Sequence, residues 1–355
     1  MPRRTAFDAE IVIVGAGVMG LATAATLARA GSKVVVFEQF GPGHNRGSSH
    51  GNARIFKVSY PDLEFVRLAM TSLVRWREIE DESGDEILLT TGTIDVGGIA
   101  GRREALKHCG SDFEFLEGSE IERRFGLKVD KHEVGLFQPD GAVLHADRAQ
   151  DAMTRAARKN GAELAYETEV HHVALEHDTV LVRTSAGEIR AHAVVVTAGA
   201  WVTRFLAALG LERNVSTVRE TVAYFQPYAA QRSPPLSEWR PEEKRVTYGL
   251  VARDGLLKVG VSGSGRPADP DDEEAEVDHE VVRSAAAWAA RRYDLLDDTP
   301  VRAETCLYTN TPDERFIIER HGRAIIGSAC SGHGFKFAPS IGDRLAGLAL
   351  EATAA

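Results

Sequence analysis

The feature that most constrains the fold is a strand–helix–strand pattern within residues 11–38. Residues 11–14 are a β-branched run (IVIV), residues 21–30 are rich in Ala and Leu, and residues 33–38 (KVVVFE) form a second apolar run. The segment GAGVMG between strand and helix has the spacing G-x-G-x-x-G, and Glu38 follows its last glycine by 18 positions. A glycine loop that leaves a strand, opens a helix and precedes an acidic strand end is typical of a dinucleotide-binding unit.

Each glycine of this loop has its own physical role in such a unit. Gly15 permits a tight turn, Gly17 lets the backbone approach a pyrophosphate closely, and Gly20 lets the helix pack on the strand. The first helical turn, which includes Met19, directs N–H groups and the positive end of the helix dipole at the phosphates. Glu38 is expected to accept hydrogen bonds from ribose hydroxyls, which argues against NADP. The complete pattern disfavours the alternative of a ligand-free glycine turn, but it does not separate FAD from NAD.

A second apolar run also ends in small residues. Residues 194–201 read VVVTAGAW, and a strand that comes close to a ligand needs small residues at its tip. We therefore predict that Gly199 and Trp201 lie beside the dinucleotide. The alternative is a plain exit from strand to turn.

The rest of the chain alternates between stretches typical of parallel and of antiparallel sheets. Residues 41–52 (GPGHNRGSSHGN) are polar and long for an idle loop, which predicts a functional role. Periodicity and turn residues predict helices at 63–82, 146–160, 280–293 and from about Pro339, a hairpin at 86–96, strands near 163–166, 179–184, 193–197, 305–309, 316–319 and 324–328, antiparallel strands across 214–263, an acidic loop at 267–276 and a glycine loop at 330–334. This order predicts two domains that are interleaved along the chain.

Composition excludes several classes of protein. The net charge of −10 disfavours a nucleic-acid partner, because an acidic chain repels phosphate backbones. Three cysteines make neither a disulfide framework nor a metal-ligand spacing, so we expect no metal and a reducing compartment. The arginines at the N-terminus precede an apolar run that glycines soon interrupt, which is wrong for a signal peptide. No stretch has the roughly 18 apolar residues of a membrane helix, so a cytoplasmic protein is expected.

Five segments, in order along the chain, carry a resemblance to a known family. They are GAGVMG at residues 15–20, GSSHGNAR at 47–54, GLLKVG at 255–260, CLYTNTPD at 306–313 and SGHGFKF at 331–337. In these segments the chain resembles the monomeric sarcosine oxidase and N-methyltryptophan oxidase group of the D-amino-acid-oxidase-like flavoproteins, over about residues 8–350. The resemblance implies an α/β fold with a Rossmann-type, GR2-like FAD-binding domain (1–85, 140–213 and 300–355). An antiparallel-sheet substrate domain of the α+β type is interleaved with it (86–139 and 214–299).

The resemblance also implies roles for residues around the flavin. Cys306 matches a cysteine that carries FAD through a thioether to its 8α-methyl carbon, although alone it would read as a small buried hydrophobe. Lys258 matches the lysine that activates oxygen, and the alternative is a lysine on the solvent face of an edge strand. Further residues matched to the flavin are Ser48, His50, Arg54, Gly332, His333, Gly334 and Lys336. For His333, packing within its own loop is an equally good interpretation.

The substrate side matches the family less completely. Lys336 matches a residue that binds the substrate carboxylate, and Tyr308 matches an aromatic residue of the substrate pocket. Lys57 stands where sarcosine oxidase has an arginine, so a charge is kept but the bidentate fork is lost. Ser262 replaces an active-site histidine. These departures leave the identity of the substrate open.

The implied function is therefore an FAD-dependent amine oxidase, expected to be monomeric, that uses O2 and releases H2O2. Its substrate would be a secondary amine or an N-methyl amino acid, with the carboxylate held by Lys57 and Lys336. Three alternatives stay open: a biosynthetic oxidase of a cyclic imine or imino acid, an amine dehydrogenase with another electron acceptor, and a catalytically silent nucleotide-binding protein.

Overall fold

The computed structural model describes residues 9–228, 233–240, 242, 245–272 and 276–354. The arginine-containing N-terminal segment and residues 273–275 of the acidic loop lie outside these ranges. The described chain forms two compact units, each assembled from alternating segments. The first unit draws on Met1–His50, Ala149–Thr217 and Leu307–Ala355, and the second on Gly51–Arg148 and Val218–Cys306.

The strands are β1 (Ile11–Val14), β2 (Val34–Phe37), β3 (Arg54–Phe56), β4 (Leu88–Thr90), β5 (Thr93–Val96), β6 (Glu114–Glu117), β7 (Val134–Gln138), β8 (Ala142–Leu144), β9 (Glu163–Ala165), β10 (Val170–Leu175), β11 (Val180–Thr184), β12 (Gly187–Ala191), β13 (Ala193–Val196), β14 (Ser216–Phe225), β15 (Leu236–Arg240), β16 (Arg245–Val251), β17 (Leu257–Ser262), β18 (Arg266–Pro267), β19 (Arg302–Asn310), β20 (Ile317–His321) and β21 (Ala324–Ser328). The helices are α1 (Val18–Arg29), α2 (Leu63–Ser83), α3 (Ile99–Cys109), α4 (Gly118–Phe125), α5 (Ala146–Lys159), α6 (Val202–Ala208), α7 (His279–Arg292) and α8 (Ala338–Ala354).

The first unit is organised around a six-stranded sheet in the order β20-β21-β13-β1-β2-β9. Neighbouring strands are parallel from β21 to β9, and only β20 runs antiparallel, against β21. Strands β1, β2 and β13 are completely buried, as expected for parallel strands covered on both faces. Helix α1 follows β1 directly and packs on α8, where Gly342 lies against Ala22 without room for a Cβ atom. A separate three-stranded sheet, β10-β11-β12, completes this unit.

The second unit contains a nine-stranded sheet, with β18-β14-β17-β16-β15-β5-β7-β6 in order and β19 paired with β14. Most of its strand pairs are antiparallel, and β15 pairs in parallel with β5. Helix α7 begins at Asp278, whose side chain accepts the N–H groups of Glu280 and Val281. Trp288 and Tyr293 then bury their rings in the core of the unit. A small sheet, β3-β8-β4, lies in the same unit.

The observed fold confirms the predicted class: a Rossmann-type sheet together with a largely antiparallel sheet. One local prediction is wrong. Residues 86–96 do not form a hairpin, because β4 pairs with β8 whereas β5 pairs with β7 and β15. Gly92 has a φ of 74°, and its N–H donates to the carbonyl oxygen of Gly141 instead of closing a turn between β4 and β5. The unit boundaries also differ from expectation, since residues 51–85 belong to the second unit. Across the described residues, no helix combines the length and the apolar character needed to cross a membrane.

Candidate functional site

The glycine loop after β1 is shaped by contacts that exclude side chains. Gly15 has a φ of 97°, and a Cβ atom there would lie 2.6 Å from the carbonyl oxygen of Thr197. A Cβ atom on Gly20 would lie 1.9 Å from the carbonyl oxygen of Gly15, so helix α1 can only approach the loop with glycine at this position. Helix α1 starts at Gly17, without a side-chain cap from its own N-cap residue. The loop thus keeps backbone N–H groups at a helix N-terminus, which suits a pyrophosphate.

Glu38 is buried at the end of β2 and organises the same loop. One of its carboxylate oxygens accepts the N–H of Ala16 at 2.8 Å, and the other accepts the N–H of Phe40 at 3.0 Å. His44 lies 3.5 Å from the second oxygen, and burial lowers the pKa of this histidine. A carboxylate has about four acceptor positions, so two hydrogen bonds leave capacity for ribose hydroxyls. The loop and Glu38 together fit a dinucleotide such as FAD.

The other predicted dinucleotide contacts of the first unit lie near these residues in the fold. Gly199, with a φ of 52°, opens a short 3-10 turn directly after β13, the strand next to β1. Trp201 is buried in that turn and meets the ring of Phe40 edge-on, with the ring centroids 5.5 Å apart. This packing is compatible with both interpretations of the segment, so the contact of Gly199 and Trp201 with a dinucleotide stays a prediction.

The segment at residues 47–50 is held by its own backbone and by the chain near residue 307. The hydroxyl of Ser48 donates to the carbonyl oxygen of Leu307, and the ring Nδ1 of His50 lies 2.9 Å from the carbonyl oxygen of Gly47. Ser49 accepts the N–H of Val18 at 3.0 Å and so closes the segment over the start of α1. The sequence analysis did not identify Ser49.

The C-terminal glycine loop packs closely on Tyr308. A Cβ atom on Gly332, whose φ is 72°, would lie 2.7 Å from the Tyr308 ring. A Cβ atom on Gly334 would lie 1.8 Å from the carbonyl oxygen of Ala329, so the loop turns back on itself at this point. Lys336 is buried just before α8, and its ammonium donates to the carbonyl oxygen of His333 at 2.7 Å.

His333 itself packs within its loop. Its ring lies 4.9 Å from the ring of Phe316 and 5.9 Å from that of Phe337, measured between centroids. Its Nε2 atom lies 3.1 Å from the carbonyl oxygen of Glu314. These contacts favour the interpretation of a loop-packing histidine.

Lys258 occupies the middle of the large sheet in the second unit. Strand β17 is flanked by β14 and β16, and Lys258 is paired with Tyr224 on one side and with Leu250 on the other. The alternative of a solvent-facing lysine on an edge strand is therefore wrong. The side chain is buried, with the residue only 7% exposed.

The surroundings of Lys258 disfavour its charge. Burial, reinforced by the nearby Arg54 guanidinium, lowers the pKa of Lys258 to about 7. The ammonium lies 3.5 Å from the carbonyl oxygen of Ala53, which also accepts from Arg54 Nη1 at 2.8 Å. Two basic side chains thus converge on one carbonyl group. A cation kept in such a dry site is well suited to stabilise negative charge that develops on a bound reactant.

Cys306 lies on β19 in the same unit as Lys258. It is half-buried and is not part of a disulfide, and its sulfur is one of the groups that act electrostatically on Lys258. The structure thus places the predicted attachment cysteine in the electrostatic neighbourhood of the predicted oxygen-activating lysine.

Lys57 has an acidic partner that the sequence analysis missed. Its ammonium lies 2.9 Å from Asp95 Oδ1 in a buried ion pair, and Ser59 donates its hydroxyl to the other oxygen of Asp95. Arg102 Nε lies 3.8 Å from Asp95 Oδ1. These positive charges, together with hydrogen bonds, hold the pKa of Asp95 below its usual range in spite of its burial. The Asp95 carboxylate therefore balances the positive charge of Lys57.

Other side chains share the sheet face of Lys258. Directly paired residues project from the same face, and this register groups Lys258 with Ser262, Glu220, Tyr224 and Tyr248. The ring of Tyr248 covers Gly260, where a Cβ atom would lie 2.5 Å from its hydroxyl oxygen.

Glu220 is buried on this face beside the turn that follows Ser262. Its carboxylate accepts the N–H of Gly263 at 3.1 Å and the hydroxyl of Ser264 at 2.9 Å, while burial raises its pKa. The sequence analysis missed Glu220, Tyr224 and Tyr248. The alternation of side chains along β14 and β16 shows that these residues share a face of their own strand. Only the register between the strands shows that this is also the face of Lys258.

Comparison with known proteins extends over nearly the whole chain. The sequence model of the FAD-dependent oxidoreductase family matches residues 10–348. Monomeric sarcosine oxidase of Streptomyces avermitilis is 32% identical, over 98% of this chain and 94% of that protein. Peroxisomal sarcosine oxidase of Homo sapiens is 30% identical, over 97% of this chain and 93% of that protein. A solved structure of NikD, an unusual amino acid oxidase essential for nikkomycin biosynthesis, has a TM-score of 0.87 at 26% identity, covering 97% of this chain and 94% of that one.

The buried Lys57–Asp95 pair leads to a prediction about stability. Replacing Lys57 with Met keeps the length of the side chain but leaves the Asp95 carboxylate buried without its nearest cation. We expect the free energy of unfolding to fall by about 3–5 kcal/mol, measured by urea denaturation at pH 7. Arg103→Met, which removes an exposed ion pair with Glu104, is the matched control and should cause a much smaller loss. Equal losses in the two variants would contradict a special role for the buried pair.

Proposed function

Because the chain belongs to the FAD-dependent oxidoreductase family and is an FAD-dependent oxidase of CH–NH donors, similar to sarcosine oxidase, we propose that it oxidises a secondary amine or an N-methyl amino acid. The observation that carries this proposal is the buried Lys258 on a central strand, close to Arg54 and Cys306. When bound, the flavin accepts a hydride from the carbon next to the amine nitrogen and passes the electrons to O2, which yields H2O2.

The first unit supplies the residues proposed to hold FAD. The steric contacts at Gly15 and Gly20 and the helix N-terminus of α1 support binding of the pyrophosphate there. The remaining proposed contacts are Gly17, Met19, Glu38, Ser48, His50, Gly199, Trp201, Gly332, Gly334 and Lys336, whereas His333 packs within its own loop. Glu38 would bind the ribose while it also fixes the glycine loop through Ala16 and Phe40.

Lys258 is the proposed oxygen-activating residue. Its ammonium stabilises the negative charge that develops on O2 when the first electron arrives, and its burial prevents water from screening that interaction. Arg54 adds a second positive charge close to Lys258. His50 is proposed to lie close to the flavin ring and to take part in catalysis there, as the resemblance implies.

Cys306 is the proposed point of covalent attachment, as an 8α-S-cysteinyl linkage. Forming the bond removes one hydrogen from the thiol and one from the 8α-methyl group, and O2 accepts the two electrons. The half-buried position of Cys306 on β19, and its electrostatic influence on Lys258, support this assignment.

The substrate carboxylate is proposed to bind Lys336, with Tyr308 beside it. Lys336 is a buried ammonium in a glycine loop, and the Tyr308 ring packs on Gly332 of the same loop. We assign no carboxylate contact to Lys57, because its ammonium is already paired with Asp95. Ser262, which lies on the Lys258 face, is proposed to contact the part of the substrate that distinguishes it from sarcosine.

A cyclic imino acid is the second candidate substrate class. Ser262 and Lys57, which depart from the sarcosine oxidase pattern, favour it, and NikD, at 26% identity, is itself an amino acid oxidase of a biosynthetic pathway. The acceptor O2, a monomeric state and a cytoplasmic location stay predictions. The peroxisomal name of the human relative makes the location a separate experimental question.

Peroxide release tests the proposed function directly. We expect the holoenzyme to oxidise N-methyl amino acids with a kcat/KM roughly 10- to 200-fold above that for the matching primary amino acids, since one methyl group is discriminated to about that extent. A panel of N-methyl, primary and cyclic imino acids, followed by oxygen uptake and peroxide assay, measures this. Faster turnover of cyclic imino acids would favour the second candidate. A flavin that no member of the panel bleaches without oxygen would contradict both.

Lys258→Met provides a test of oxygen activation. We expect reoxidation of the reduced enzyme to slow by about 10²–10³-fold while reduction by substrate is spared, because only the reaction with O2 needs the fixed cation. Stopped-flow mixing of reduced enzyme with O2 measures the rate. In the wild type this rate should fall as pH rises through the pKa of Lys258, since the ammonium is then lost. Lys159→Met, at the exposed end of α5, is the control. Unchanged oxygen reactivity in Lys258→Met would refute the assignment.

Cys306→Ser tests the covalent linkage. Acid precipitation of the wild type should leave yellow flavin in the pellet, whereas the variant should release it into the supernatant, because a serine hydroxyl forms no thioether. Cys109→Ser, on the last turn of α3, should behave like the wild type. Flavin released from the wild-type protein would rule out the bond.

A further inference from the structure

A buried tyrosine connects Lys258 with an acidic residue. Tyr224 is the cross-strand partner of Lys258, and the ammonium lies 5.8 Å from the centre of its ring. Tyr224 is fully buried, and its hydroxyl donates to Glu304 Oε2 at 3.1 Å. Burial raises the pKa of Tyr224, so the hydroxyl stays protonated and continues to donate. This hydrogen bond links Glu304 to Tyr224, the residue that packs against Lys258.

Glu304 is also held by its own strand. Arg302 Nε lies 3.3 Å from Glu304 Oε1, and the Arg302 guanidinium lies 4.1 Å from the centre of the Tyr224 ring. Arg302 is paired in turn with Asp254 at 3.2 Å. Glu304 therefore has two directional partners, although about a third of its side chain is exposed.

The charged groups that face Lys258 come from two elements. Arg54, from β3, lowers its pKa, and so does Arg302, from β19. Cys306 and Glu304, both from β19, raise it. The paired residues on the flanking strands, Tyr224 and Leu250, carry no charge. If Cys306 is bonded to flavin, as proposed above, its sulfur has no charge, and Glu304 is the acidic group that still favours the ammonium.

We propose that Glu304, held in place by the Tyr224 hydroxyl, is a positioning residue for oxygen activation: its carboxylate favours the charged form of Lys258, whose ammonium lies against the Tyr224 ring. The inference rests on the proposed role of Lys258. Without Glu304, the hydroxyl of Tyr224 would lose its acceptor, and the Glu304 carboxylate would no longer offset the effect of Arg54 and Arg302 on the ammonium. Lys258 would then lose its proton at a lower pH.

Glu304→Gln tests this in the flavin-loaded enzyme. Gln keeps the acceptor for Tyr224 and removes the charge, so folding is preserved. We expect the pH at which the reoxidation rate is half-maximal to fall by about half a unit, because a partly exposed charge is screened by water. The rate near that pH should drop about twofold. The rate of flavin reduction by substrate should not change.

Tyr224→Phe is a second, conservative variant. It keeps the ring beside Lys258 and removes the hydroxyl that orients Glu304, so it should shift the pH profile in the same direction. Asp254→Asn is the charge control. It also removes a carboxylate bound to Arg302, but it leaves Tyr224 and Glu304 untouched, and its profile should match the wild type. A shift in Asp254→Asn as large as that in Glu304→Gln would overturn the proposal.

Sulfite binding to the oxidised flavin gives a readout independent of turnover. The adduct is anionic, so a nearby cation favours it, and its dissociation constant is measured from the loss of flavin absorbance. Glu304→Gln should weaken sulfite binding about twofold near the midpoint pH, but not when combined with Lys258→Met, because the effect acts through Lys258. An equal effect in the Lys258→Met background would overturn the inference alone. Unchanged oxygen reactivity of Lys258→Met itself would instead overturn the proposed function.

Discussion

The second unit depends on keeping one ammonium group inside a sheet. Lys258 lies on a strand flanked on both sides, where an unpaired charge is costly. Three nearby features offset part of this cost: the carbonyl oxygen of Ala53, the ring of Tyr224 and the Tyr224–Glu304 hydrogen bond. None of these groups is a direct carboxylate partner at ion-pair distance. These contacts therefore stabilise the ammonium only in part, and burial still lowers the pKa of Lys258 to about 7.

Lys57, in the same unit, is stabilised in a different way, by a direct ion pair. It too is buried, but Asp95 lies 2.9 Å from its ammonium and Ser59 completes the coordination of that carboxylate. A direct ion pair removes the electrostatic influence that a free cation would exert on a ligand. The two lysines differ in their partners: Lys57 has a carboxylate at ion-pair distance, whereas Lys258 has a carbonyl oxygen and an aromatic ring.

The sequence predicts features that depend on local spacing, and it misses contacts that depend on tertiary packing. The glycine loop and Glu38 were found because their spacing follows from local chain geometry, which the structure confirms at Gly15 and Gly20. The prediction of a hairpin at residues 86–96 was wrong because alternation along a strand does not reveal which strand it pairs with. The carbonyl oxygen of Gly141 accepts hydrogen bonds from the backbone of this segment, which therefore does not close a turn between β4 and β5. Asp95 was missed for a related reason. It lies within a buried run, 38 positions from Lys57, and only tertiary packing brings the two together.

The first unit assembles its sheet from distant parts of the chain. Strand β1 lies between β2 and β13, and β13 pairs with β21, while α1 packs against α8 at Gly342. During synthesis, the glycine loop therefore emerges more than 300 residues before α8, the helix that packs on α1. A ribosome-bound chain that stops short of β21 has the glycine loop but lacks the strand that pairs with β13 and the helix that packs on α1. The first unit can therefore close its sheet and cover α1 only after β21 and α8 have been synthesised.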